Sequence, residues 1–151
     1  VRGPEVVPML NAMSVGDDGS MCTVHSRSAE KAFDRIVTLC LSDGAVMSDA
    51  LAYRMAAGAI DFIVHVTLLD ETELGGKRHR FVSDVLEIDG IGEGHRPVTT
   101  RVFGPGPDGR AVPMHHPRCL PELRRVGFDA SLLEQRSGLW PRPIERREVS
   151  W

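Results

Sequence analysis

Two alternating runs late in the chain, Arg80 to Ile88 with Phe81, Val85 and Ile88 prominent and then Val98 to Phe103, are separated by the glycine-bearing stretch Gly90 to Gly94 and followed by Pro107-Asp108-Gly109. Successive side chains of a strand point to opposite faces, and a short turn can join only antiparallel neighbours. Alternation punctuated by turn residues therefore specifies an antiparallel meander. What precedes it has a different period. Ser28 can cap a helix in which Phe33, Ile36, Val37 and Cys40 fall at i, i+3, i+4 and i+7, with Glu30, Asp34 and Arg35 off the stripe. This amphipathic helix is expected to end near Gly44. A second helix starts at Ser48, with Leu51 and Met55 as its apolar line and small residues from Ala56 to Ala59 for close packing.

A shorter helix is expected between Pro4 and Ser14, its regular part beginning near Pro8, where the backbone has no N–H to donate. The β-branched apolar segments Met21 to His25 and Ile60 to Leu69 read as two sheet strands. Pro121 and Asp129 open two short C-terminal helices, the first stopped by Gly127. The tail after Trp140, with the charged run Glu145 to Glu148, is expected to fray or to pack on a neighbour. The fold class is thus α/β over roughly the first seventy residues, with an antiparallel extension after them. The N-terminal part has few strands to close a sheet, and the chain opens on Val1 without an initiator methionine. Both features lead to the expectation of a piece of a longer polypeptide whose upstream half supplies the missing strands.

Composition narrows the class of partner. Apolar residues make up 42% of 151, and 18 Lys and Arg against 21 Asp and Glu leave a net charge of -3. That balance carries no basic footprint for nucleic acid and no polybasic membrane patch. No apolar run approaches the ~20 residues of a membrane span. Cys22, Cys40 and Cys119 are odd in number and widely spaced, which argues for a reducing compartment, most simply the cytoplasm.

The densest chemical stretch is Gly16-Asp17-Asp18-Gly19-Ser20-Met21-Cys22-Thr23-Val24-His25, a polar glycine loop running into an apolar segment that ends on a histidine. Such a placement is characteristic of sites at strand ends in open α/β sheets. Gly16 and Gly19 permit tight turns, Ser20 and Thr23 offer hydroxyls, and His25 can donate to a phosphate or orient a carboxylate. By composition alone the same residues also read as a Gly/Asp turn followed by a strand with a satisfied histidine. Zinc is a rival: Cys22 and His25 share a two-residue spacer, and His115, His116 and Cys119 add soft ligands. In an extended strand, however, Cys22 and His25 point to opposite faces, so no metal is expected. His65, His79 and His95 lack partner spacing. Asp61 reads as a strand opener, whereas Glu5 reads either as an acid–base carboxylate or as a group favouring a helix N-terminus.

The run VRGPEVVPMLNAMSVGDDGSMCTVHSRSAEKAFDRI resembles the segment that follows the Walker B strand in type II/IV secretion ATPases, particularly the tight-adherence (Flp) pilus branch. Arg2, Glu5, Gly16, Gly19, Ser20, Thr23, His25 and Arg35 match that pattern in register. IDFIVHV and RFVSDVLEI resemble the family's later strands, and VFGPGPDGRAVP its closing hairpin. Two substitutions depart from the pattern: Ser26-Arg27 follows the histidine, and Cys22 stands where Gly or Thr is common. A larger departure is that no Gly-x-x-x-x-Gly-Lys-Ser/Thr phosphate loop occurs in this sequence.

The resemblance implies the C-terminal part of a RecA-like P-loop ATPase fold, an incomplete central sheet flanked by helices, over residues 1–113, with a helical extension over 114–151. It further implies a catalytic role for His25 near the γ-phosphate, with Glu5 supporting the Walker B region. Arg2 and Arg35 would make charge contacts, and Gly16, Gly19, Ser20 and Thr23 would line the cofactor. In the intact protein it implies ATP and Mg²⁺, a hexameric ring, inner-membrane secretion or pilus platform proteins as partners, and a location at the cytoplasmic face of the membrane. Alone, the chain is expected to hold no cofactor and to hydrolyse no ATP. The competing reading is a non-catalytic interaction module derived from that fold. A half-domain also leaves sheet edge and apolar surface uncovered, around Met21 to Val24 and Ile60 to Val66, so self-association or poor solubility is expected.

Overall fold

The computed structural model describes residues 1–15, 19–42, 47–140 and 142–144. The expected helix stop at Gly44, the loop glycine Gly16 and the charged run from Glu145 lie outside them. The chain divides into two compact units, Val1–Ile63 with Leu86–Thr100, and Val64–Val85 with Arg101–Trp151.

The first unit is a helical layer. Helix α1 spans Val6–Ser14, α2 Ala29–Ser42 and α3 Asp49–Ala59. Helix α1 begins two residues before the expected Pro8. Pro8 falls at the third helical position, where the backbone nitrogen has no intrahelical acceptor, so the missing N–H costs nothing. The stripe of α2 is as the spacing predicts, with Ala29, Ala32, Phe33, Ile36, Val37, Leu39 and Cys40 all buried. Ser28 Oγ accepts from Lys31 N–H at 3.3 Å, the expected cap, and Ser48, where the second helix was expected to start, caps it by accepting from Leu51 N–H at 3.3 Å. On α3 the buried line is Ala52, Ala56 and Ala59, while Leu51 is exposed. Small side chains let the α3 backbone approach its neighbours; of the expected apolar line, Leu51 turns outward while Met55 packs half-buried against the core.

The expected strand Met21 to His25 is not one: residues 20–26 have no strand partner among the described residues. The segment is nonetheless tied to the chain start, because the Val1 ammonium donates to the Thr23 carbonyl at 2.6 Å.

Strands β1 (Phe62–Asp70), β2 (Arg78–Ile91), β3 (Pro97–Pro105) and β4 (Ala111–Pro113) form one four-stranded antiparallel sheet in the order β1-β2-β3-β4. The meander is therefore present, and the strand expected over Ile60 to Leu69 is its first member. The expected turn at Gly90 to Gly94 is displaced, since β2 runs on to Ile91 and the reversal falls at Glu93–His95, with Gly94 and His95 both at positive φ. In the register of β3 on β4, Phe103 pairs with Pro113, Gly104 with Val112 and Pro105 with Ala111.

The second unit adds helix α4 (Leu120–Arg125) and a 3-10 turn at Ala130–Leu133. Gly127, at φ +88°, stops α4 as expected. Its N–H bonds the Arg124 carbonyl at 3.1 Å, and the next N–H, of Phe128, reaches back to Leu123 at 3.0 Å. This pair of bonds satisfies carbonyls that a helix end leaves orphaned. Asp129 caps the following turn by accepting from Ser131 N–H at 2.9 Å.

Candidate functional site

Residues 20–26 belong to no helix or strand, and exposure alternates along 21–27. Met21, Thr23, His25 and Arg27 face out, while Cys22, Val24 and Ser26 are half-buried, Val24 against the helical core. The alternation places Thr23 and His25 on one exposed face. Gly19 and Ser20 are exposed at the start of this segment, with Gly19 at φ +91°. Arg35 is exposed, off the buried stripe of α2.

Arg2 and Glu5 are brought together through the backbone. The Arg2 N–H donates to Glu5 Oε1 at 2.6 Å across a turn closed by Val6 N–H on the Gly3 carbonyl. Donation from the Arg2 N–H, and then from the N–H groups of Glu5 itself and Gly3, holds the Glu5 carboxyl below its ordinary value. Glu5 is thus a carboxylate at neutral pH and is unsuited to act as a general acid. Its observed contact organises the entry to α1.

The sequence has no phosphate-loop lysine or its neighbouring hydroxyl. Among the described residues, no three His, Cys, Asp or Glu side chains come together to hold a metal ion.

The structure also assembles a group that sequence spacing did not reveal. Asp34 Oδ1 on α2 accepts from the Tyr53 hydroxyl of α3 at 2.8 Å and from Arg96 Nη1 at 2.9 Å. The Arg96 guanidinium also lies over the Tyr53 ring, 5.5 Å from its centroid. Burial, together with the adjacent Asp34 carboxylate, raises the Tyr53 pKa, so the phenol keeps its proton and donates. Beside this triad lies an open cavity of about 300 Å³ lined by Phe33, Asp34, Ile63, Leu86, Arg96 and Thr99 among others. Neither His25 nor Glu5 lines it. Asp34 and Arg96 stand 62 positions apart, and no periodicity links them.

In the second unit the Asp108 carboxylate takes the Arg110 guanidinium on both Nε, at 2.8 Å, and Nη2. Arg110 Nη2 also donates to the Arg142 carbonyl at 2.5 Å, and the guanidinium stacks on Trp140 at 4.9 Å. Arg110 thereby holds the Asp108 carboxyl down at about 2. This cluster fastens the end of the described chain to the β3–β4 hairpin.

The chain is similar to type IV secretion system protein PtlH of Bordetella pertussis, with 25% identity over 91 residues, 60% of this chain and 26% of that protein. The PtlH homologs of Bordetella parapertussis and Bordetella bronchiseptica match to the same extent. The aligned region is thus about a quarter of the length of the curated relatives it matches. No family model matches the chain. Among the described residues, no helix is long and apolar enough to cross a membrane.

Proposed function

We propose that this chain is part of an ATP-driven motor for type II/IV secretion or pilus assembly, contributing the C-terminal portion of a RecA-like domain. The observation that carries the reading is the 91-residue similarity to PtlH, since the residue pattern from Arg2 to Arg35 leads to secretion systems on separate grounds. In this reading His25 senses or positions the γ-phosphate and Glu5 supports the Walker B region. Arg2 and Arg35 supply positive charge, and Gly16, Gly19, Ser20 and Thr23 shape the loop against the nucleotide. The lysine and the Mg²⁺-binding hydroxyl come from an upstream segment. The intact protein works as a hexamer on inner-membrane platform proteins, at the cytoplasmic face of the membrane. The chain alone is inactive.

The test is nucleotide binding and turnover by a polypeptide extended upstream through a phosphate loop. His25→Ala is expected to leave binding in place and lower turnover by about 10²-fold or more. An extended polypeptide that binds no ATP, or whose turnover ignores His25, overturns the reading. The absent phosphate loop favours a second reading, a non-catalytic interaction module. The reading frame upstream of Val1 separates the two: a Gly-Lys-Ser/Thr loop within one domain length removes the module, and a start codon next to Val1 supports it.

A further inference from the structure

The polar side chains between residues 23 and 35 fall into two groups. One group is satisfied within the protein. Ser26 Oγ donates to the Ser28 carbonyl at 2.9 Å, Ser28 Oγ accepts from Lys31 N–H at 3.3 Å, and Asp34 Oδ1 accepts from Tyr53 and Arg96. The other group is turned to solvent. Among the described residues the side chains of Thr23, His25, Arg27, Lys31 and Arg35 make no hydrogen bond or ion pair, and all five residues are exposed. Thr23, His25 and Arg27 share the exposed side of 21–27, away from the half-buried Cys22, Val24 and Ser26. Lys31 and Arg35 stand four residues apart on α2, about 6 Å along its axis. The two carboxylates between these cations do not offset them, since Asp34 is engaged by Arg96 and Glu30 is engaged as well.

We propose that Arg27 and Lys31 are further phosphate-contact residues of the nucleotide site, with Arg27 the stronger of the two. The inference rests on the motor reading, which places His25, Thr23 and Arg35 at that site and gives Arg27 and Lys31 no part in it. Arg27 falls where this chain departs from the family pattern, so its role is not inherited from the resemblance. The argument for phosphate is the donor set. A hydroxyl, an imidazole, two guanidinium groups and an ammonium can all donate, and together they suit an anion with several acceptor oxygens and more than one negative charge. A nucleotide triphosphate is such an anion. The guanidinium offers a planar fork to two phosphate oxygens, whereas Lys31 contributes a point charge, which ranks Arg27 first. Arg27 is also carried on anchored backbone, because the Ser26 bond and the Ser28 cap hold the residues on either side of it. Such anchoring lowers the ordering cost of making the contact.

The polypeptide extended upstream through a phosphate loop tests this assignment by a different parameter from the one that tests the motor reading. Arg27→Gln is expected to raise KM for ATP about tenfold, with the loss in KM and not in kcat, and Lys31→Gln to raise it about threefold. The Kd for ATP, measured by equilibrium titration, is expected to weaken by the same factors. Arg54→Gln removes an exposed arginine from α3 and is expected to leave both constants where they were. A KM and Kd indifferent to Arg27→Gln, in a polypeptide whose turnover falls with His25→Ala, overturn the proposal and leave the motor reading standing. An equal rise in KM with Arg54→Gln makes the effect one of overall charge and overturns it too. A raised KM with an unchanged Kd overturns the phosphate contact, and an extended polypeptide that binds no ATP overturns both readings together.

Discussion

In the unit built from Val1–Ile63 and Leu86–Thr100, twelve buried residues from Val6 to Ile88 form one continuous apolar core. In the unit built from Val64–Val85 and Arg101–Trp151, the turns and ends are fastened by charged and polar contacts. Examples are Asp70 with Thr72 and Arg78, Asp84 with Arg101, and Asp108 with Arg110. The second unit also buries Val102, Val112, Leu120 and Leu133, so the contrast lies in what holds the connections. A core built from periodic apolar residues is non-directional and depends on volume. A fastening built on one guanidinium depends on particular atoms. Mutation and pH therefore act differently on the two.

The contrast is broken most directly in the core. Leu10 is 1% exposed at the centre of the helical layer. Truncation to alanine removes its transfer free energy and leaves a cavity, so Leu10→Ala is expected to cost about 2–5 kcal/mol. Urea unfolding measures the loss, and amide exchange is expected to place it in α1, α2 and α3. Equal loss of protection throughout the second unit would mean that the two units unfold as one.

Arg110→Ala is the corresponding cut in the second unit. It strands the Asp108 carboxylate and removes the stacking surface under Trp140, with an expected cost of about 1–3 kcal/mol. Trp140 emission and exchange at residues 142–144 are the readouts. The pH dependence has a definite sign. The folded Asp108 carboxyl is depressed from 3.8 to about 2, so its contribution is present above the unfolded value and is lost as pH falls from about 4 towards 2. Trp140 emission is expected to change in that window. Asp108→Asn is expected to abolish the transition, and a transition that survives it would assign the titration to another group.

Gly127→Ala sharpens the comparison at a position where neither core nor charge acts. An alanine held at φ +88° is strained although nothing lies within 4 Å of the added methyl. The expected cost is about 1 kcal/mol, read as a loss of α4 stability by thermal melting.

These residues also mark what the sequence made legible. The α2 stripe, the Ser28 and Ser48 caps, the Gly127 stop and the meander each follow from a local rule whose reach is a few residues. What escaped required tertiary information. The Asp34–Tyr53–Arg96 triad joins residues on separate elements, and Arg96 carries no pattern of its own. Met21 to His25 alternates in exposure as a strand does, yet β-propensity alone does not supply a neighbour to pair with. For the candidate site, the sequence supplied Arg2, Glu5, Thr23 and His25 only as matches to a family pattern, and the Arg2–Glu5 contact is a finding of the structure. Their part in nucleotide chemistry rests on family resemblance, because this chain lacks the phosphate loop against which their geometry could be read.

Leu51 provides the smallest expected effect and the sharpest check on which face of α3 is structural. Its spacing with Met55 makes a plausible apolar line, but the side chain is 45% exposed while Ala52 and Ala56 are fully buried. Replacing Leu51 by alanine removes little buried surface and puts a better helix former on an exposed position. The two effects oppose each other, so Leu51→Ala is expected to change stability by no more than about 0.5 kcal/mol. Urea unfolding beside Leu10→Ala is the appropriate measurement. A loss approaching that of Leu10→Ala would mean that the leucine face of α3 is covered in solution, and that the alanine line is not what seats this helix.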